Sequence, residues 1–96
     1  MSKLTLVSNL NQPLRPLVEA ALTNELRLIE AGIYRTEQRL KQFEQMYRMS
    51  TAEFVSRYET DESPEKLAYA EWIGERRLLA RLHEKADTLQ EVQFAN

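Results

Sequence analysis

The chain has no cysteine and a single histidine, His83, among its 96 residues. Disulfides, thiol nucleophiles and thiolate zinc sites are therefore excluded, and the histidine clusters favoured by catalytic metals cannot be built. Glycine occurs twice and proline three times, too few turn formers to punctuate a many-stranded fold. No apolar run approaches the roughly 18 residues of a membrane span. The opening MSKLTLVSNL is broken by Ser8 and Asn9 and falls short of the apolar core of a secretory signal, so the cytoplasm is the expected compartment. Thirteen bases against fifteen acids leave a net charge of -2, which argues against a protein that coats nucleic acid, since that needs excess Lys and Arg to displace counterions.

What is present is 43% hydrophobic and 29% charged residues, a composition that folds and stays soluble as one domain over residues 1–96. Asn9, Asn11 and Gln12 precede Pro13 and Pro16, which suits a helix start, because first-turn backbone donors have no intrahelical partner. From Leu22 the apolar positions run Leu26, Ile29, Ile33, Thr36, Leu40, Phe43 and Tyr47, in alternating steps of four and three. This is a coiled-coil seam with one polar member. Helix 1 is expected over 13–49, with Glu37 and Lys41, and Glu44 and Arg48, spaced for surface ion pairs.

Ser50 and Glu53 form a capping-box pattern. They open a short helix over 51–59 whose Phe54, Val55 and Tyr58 share one face. Ser63 and Pro64 then suit the start of a third helix, over 64–90. Its seam reads Ala68, Trp72, Glu75, Leu79, Leu82, Ala86 and Leu89. Facing the seams antiparallel pairs Ile29 with Leu82, Ile33 with Leu79, Leu40 with Trp72 and Phe43 with Ala68, and brings Thr36 and Glu75 into one polar layer. The expected fold is all-α: a long antiparallel helical hairpin with arms of about 40 Å, the short helix at its tip, and a C-terminal tail over 91–96.

Leu17, Val18, Ala21, Leu28, Ala31, Tyr69, Ile73 and Leu78 fall off the main seam. They call for cover by the short helix, by a second copy of the chain or by another protein. Leu4, Leu6 and Val7 in the extended segment 1–12, and Val92 and Phe94 near the other end, are β-prone; the two ends of a hairpin lie together, so they pair, add to a partner's sheet edge, or tuck against the helices. The first fifty residues carry seven bases and five acids, the rest six bases and ten acids. Most of the acid excess lies in Glu59, Asp61, Glu62 and Glu65, either a solvated loop or an acidic knob for a basic partner surface.

Chemistry-bearing patterns are sparse. Arg77, Arg81 and Lys85 form a basic stripe on helix 3, but no helix-turn-helix spacing accompanies it. His83 with Glu84 and Asp87 reads as surface rather than metal site. No phosphate loop, nucleophile elbow or dinucleotide fingerprint occurs. Neither cofactor nor small-molecule substrate is expected, and no catalytic residue stands out.

The segment from Phe43 to Leu82 resembles small bacterial antitoxin-like proteins. The resemblance rests on Tyr47 followed by Met49 and Ser50, on an EEF...YE-type stretch represented by Glu53, Phe54, Tyr58 and Glu59, and on a helix opening with Glu71 and Trp72. The opening NQPLRPLVEAAL and the ending LQEVQFAN are also similar. Ala52 stands at the first Glu of the EEF stretch, a departure that leaves the cap intact. The resemblance implies an antitoxin that binds and occludes a cognate toxin, a ribonuclease in many such pairs. On this reading the partner-facing residues are Leu4, Leu6, Val7, Leu28, Ile73, Leu78, Val92 and Phe94, with Glu59, Asp61 and Glu62 at the acidic tip. A self-associating structural coiled coil and a DNA-binding regulator are the competing readings.

Overall fold

The computed structural model describes residues 3–5, 13–60 and 67–94. A two-residue strand β1 (Lys3–Leu4) is followed by helices α1 (Leu14–Tyr47), α2 (Thr51–Thr60) and α3 (Leu67–Gln90), and by a second two-residue strand β2 (Gln93–Phe94). The protein is an all-α antiparallel hairpin of α1 and α3, with α2 packed at its tip. As the α1 number rises the contacting α3 number falls: Gly32 lies against Leu82, Phe43 against Trp72 and Tyr47 against Tyr69. The molecule is a rod of 60 × 21 × 18 Å with a radius of gyration of 19.1 Å, where a compact chain of this length would have about 12–13 Å.

α1 starts at Pro13, whose φ of -69° and ψ of 102° are extended, and no side chain caps it. Pro16 sits in the first turn, where its missing N–H deprives the helix of nothing. The expected seam is the buried one. Ile29, Thr36, Leu40 and Phe43 are buried, and Leu22, Leu26, Ile33 and Tyr47 are half-buried. On α3 Trp72 and Ala86 are buried, and the other five seam positions are half-buried.

The pairing across the seam differs from expectation by about one helical turn. Phe43 stacks on Trp72 instead of facing Ala68, and Leu82 meets Gly32 instead of Ile29. Two heptad patterns fit each other equally well after a slide of one step, so the phase alone does not choose. The slide has a consequence at the other end of the rod. α1 has 34 residues and α3 has 24, and in this register the first turns of α1 run past the end of α3. Leu17 in that overhang is 57% exposed.

The polar layer is likewise satisfied differently. The Thr36 hydroxyl donates to the Gly32 carbonyl one turn back, at 2.8 Å. The Glu75 carboxylate accepts from Arg39 Nε at 3.2 Å. Each polar group has its own partner, and Thr36 and Glu75 need none from each other.

At the tip α1 ends on Arg48 in the left-handed conformation, φ 53° and ψ 45°. The Arg48 and Met49 N–H groups both donate to the Glu44 carbonyl, a Schellman-type ending that normally selects glycine. The Glu44 side chain turns to accept from the Thr51 backbone N–H at 2.7 Å, so it caps the next helix instead of pairing with Arg48. Ser50 Oγ accepts from the Glu53 N–H at 3.1 Å, as the capping box requires. The Glu53 carboxylate does not complete the box and accepts from Arg57 at 2.8 Å instead.

These two caps aim Phe54 and Val55 into the hairpin. The core cluster is Leu40, Phe43, Phe54, Val55, Trp72 and Ile73. Trp72 is completely buried. Its ring lies 3.9 Å from that of Phe54, nearly parallel at 3°, and is also stacked on Phe43 and Tyr47. Six of the eight aromatic residues of the chain gather here. Such ring pairs contribute about 0.5–1.5 kcal/mol each beyond their burial. The indole Nε1–H donates to Thr51 Oγ1 at 3.0 Å, joining the start of α2 to the second turn of α3.

β1 and β2 pair in parallel, Lys3 with Gln93 and Leu4 with Phe94. Parallel strands cannot be joined by a tight turn, and here residues 5–92 of the chain lie between them.

Two stability measurements check this account. Thr51→Val should lower the unfolding free energy by about 1–3 kcal/mol, because the buried indole N–H loses its acceptor, whereas Thr51→Ser retains most of it; urea midpoints read the difference. Arg48→Gly should raise the same free energy by about 0.5–1 kcal/mol by relieving the left-handed strain, and an unchanged or lower midpoint would refute it.

Candidate protein-binding face

α2 covers one side of the hairpin and leaves the other bare. Ile73 and Tyr69 on α3 face α2: Ile73 is 8% exposed within the core cluster, and Tyr69 packs against Phe54. Ile73 is thus corrected from a partner-facing residue to a core residue. The periodicity had marked it only as off the main seam, and the short helix supplies its cover.

On the opposite side α1 and α3 flank an open groove of about 480 Å³. Its floor is Ile29, Gly32, Thr36 and Leu82, and Leu28 and Leu78 stand on its two walls. Leu28 is 60% and Leu78 36% exposed. The structure therefore brings together two of the expected partner-facing residues, one from each long helix. At 100° per residue Leu17 and Met46 project on the same side of α1 as Leu28, and Leu67 on the same side of α3 as Leu78. Among the described residues, five of the six exposed large apolar side chains, all but Tyr34, lie on this face.

The groove depends on Gly32. A Cβ at that position would stand 3.3 Å from Leu82 Cδ1, so the glycine lets Leu82 and the α3 backbone come close and keeps the floor low. The role of Gly32 is not explicit in a list of seam residues. No pattern in the sequence marks it, since the carbonyl that the Thr36 hydroxyl uses would be there with any residue at 32.

Charge frames the groove. Arg35, Arg39 and Lys85 line it with Glu25 and Glu75. A second depression of about 480 Å³ continues along the rod, lined by Glu25, Ile29, Arg81, Glu84, Lys85 and Leu89 among others. Two members of the basic stripe, Arg81 and Lys85, thus share their surroundings with acids, which dilutes the positive potential that duplex DNA would require. Arg77 and His83 are exposed. Among the described residues no group of three His, Asp or Glu side chains could hold a metal ion, and no buried side-chain polar atom lacks a hydrogen-bond partner. The arrangement offers surface for association.

Of the remaining expected partner residues, Val92 is half-buried just before β2. Leu4 and Phe94 lie in the paired strands. Leu6, Val7, Asp61 and Glu62 lie outside the described residues, as does the Glu59 side chain.

The division into a covered and an open side makes a direct prediction. At a concentration where the chain is monomeric, Ile73→Ala should cost about 2–4 kcal/mol of stability, while Leu28→Ala should change it by less than about 0.5 kcal/mol. Equal losses in thermal or urea unfolding would mean that Leu28 is covered.

Comparison with protein-family models, with curated proteins and with solved structures finds no match to this chain, so the functional reading rests on the face itself and on the sequence resemblance.

Proposed function

We propose that this chain is a non-catalytic protein-binding protein, specifically an antitoxin that neutralises a cognate toxin by covering its working surface. The observation that carries it is the one-sided cover of the hairpin: α2 closes one face, and five large apolar side chains remain exposed on the other. Monomeric proteins rarely leave apolar side chains together over a long face without a partner for it. The antitoxin form of the reading comes from the resemblance carried by Tyr47, Met49, Ser50, Glu53, Phe54, Tyr58, Glu71 and Trp72.

Several of those residues have structural duties that explain why they occur together. Ser50 caps α2, Phe54 stacks on Trp72, and Tyr47 packs on both Trp72 and Tyr69. They maintain the scaffold, and the contact with the toxin falls to the α3 wall at Leu78 and to the rod end where β1 and β2 pair. The edge of a paired strand accepts a further strand through its backbone groups. Ten acids against six bases in residues 51–96 give that half a charge complementary to a basic RNA-cutting surface, which speeds encounter.

The test is co-expression of the tagged chain with the protein encoded by its adjacent gene. The neighbour alone should arrest growth, growth should return when both are made, and the two should co-purify. Leu78→Asp should weaken the complex by about tenfold or more. A neighbour that is harmless alone, or that does not bind, overturns the proposal.

A further inference from the structure

The seam of α1 that faces α3 is not its only heptad pattern. Val18, Glu25, Gly32, Arg39 and Met46 follow one another at seven-residue steps, and Ala21, Leu28, Arg35 and Gln42 fill the intermediate positions. Together they make a second stripe in alternating steps of three and four. It runs along the open face, since Glu25, Leu28, Gly32, Arg35 and Arg39 all line the groove.

This stripe is self-complementary about its centre. Glu25 and Arg39 lie seven residues to either side of Gly32 and carry opposite charge. Val18 and Met46 lie fourteen residues to either side and are both apolar. Leu28 and Arg35 flank the centre at four and three residues, so an antiparallel copy would set the aliphatic stem of arginine over leucine, a favourable use of a long charged side chain. At the centre stands Gly32, buried beneath Leu82 of its own chain, so at this level the two copies meet through Leu28 and Arg35 on either side of it. An isologous dimer requires this property: residue i meets residue j, and j meets i.

We infer that the α1 side of the groove is a homodimer interface, in which α1 of a second copy packs antiparallel on α1 with the two-fold axis at Gly32. Glu25 then faces Arg39 of the second copy twice, once on each side of the axis. Arg39 already contacts Glu75 in its own chain at 3.2 Å, so each arginine stands between two carboxylates and each end of the interface is a charge-balanced cluster with Lys85 at its edge. The exposed apolar residues Leu28 and Met46, 60% and 68% accessible in the single chain, become covered. The inference goes beyond the antitoxin reading and stands without it, because the α3 wall and the strand pair remain outside the seam for another partner.

Sedimentation equilibrium of the full chain between about 1 and 100 µM tests it. The expected species is a dimer of twice 11.3 kDa. Leu28→Asp should raise the dissociation constant by about tenfold or more while leaving helix content unchanged, since Leu28 is exposed within one chain. Glu25→Arg should do the same by placing arginine against arginine. Mixing Glu25→Arg with Arg39→Glu should restore association, because every pair in the mixed dimer is then opposite in charge. A chain that is monomeric at about 100 µM, a dimer indifferent to Leu28→Asp, or folded single variants that fail to associate on mixing would each overturn the inference. If the chain is monomeric and Leu28→Asp abolishes binding of the neighbour-encoded protein, the groove belongs to that partner and self-association is refuted.

Discussion

The hydrogen bond from the Trp72 indole to Thr51 Oγ1 is the constraint from which the rest of the tip follows. A tryptophan with no exposed surface must find an acceptor for its one polar atom, and an unsatisfied N–H at that depth would cost about 1–3 kcal/mol. The acceptor stands at the first residue of α2. The position of α2 is therefore set by the largest side chain of α3, and the turn between α1 and α2 has to deliver Thr51 to that point. Arg48 in a left-handed conformation and the two-sided capping by Glu44 are how it does so. Local strain at one residue is offset by the packing of six aromatic rings around Trp72, of which Phe43, Phe54 and Trp72 itself are buried.

The same arrangement makes the rod uneven along its length. Around Trp72 three helices share a core, and most of the buried residues lie there. Toward the other end, among the described helices, α1 and α3 pack without α2, and Ile29 and Ala86 are the buried apolar side chains described there. Local opening should follow the density of buried contacts, so the two-helix half is the more readily remodelled. The open groove lies largely in that half, where Gly32 and Leu82 rather than large rings form the contact.

Much of this was legible in the sequence. Steps of four and three identified which residues of α1 and α3 turn inward, because a buried helical stripe needs little more than apolar side chains at that spacing. Ser50 and Glu53 marked the start of α2, because a cap is a local interaction between residues three apart. Register was not legible, since heptads match after any single-step slide. It is decided by where Trp72 can both stack on Phe43 and reach Thr51, a three-way condition that no pair pattern contains. Ile73 was assigned to a partner for a related reason: a residue off the main seam is turned away from the long helix, and only the packed position of α2 shows that something else meets it. Periodicity identifies Leu28 and Leu78 as off-seam apolar positions, while Gly32 between them leaves no mark in it, because glycine contributes to a groove by what it lacks.

The parallel pairing of β1 and β2 has a consequence for the order in which the molecule assembles. Lys3 and Gln93 are partners although nearly the whole chain separates them. Closing a loop of about 90 residues in an unfolded chain costs about 4 kcal/mol in entropy, and the two residue pairs of this two-stranded sheet return little against it. Once the hairpin has formed, the two ends are held near one another and most of that cost has already been met. The strands can then act as a clasp, last to close during folding and first to part, whose state at the end of the rod reports whether the arms are correctly zipped behind it.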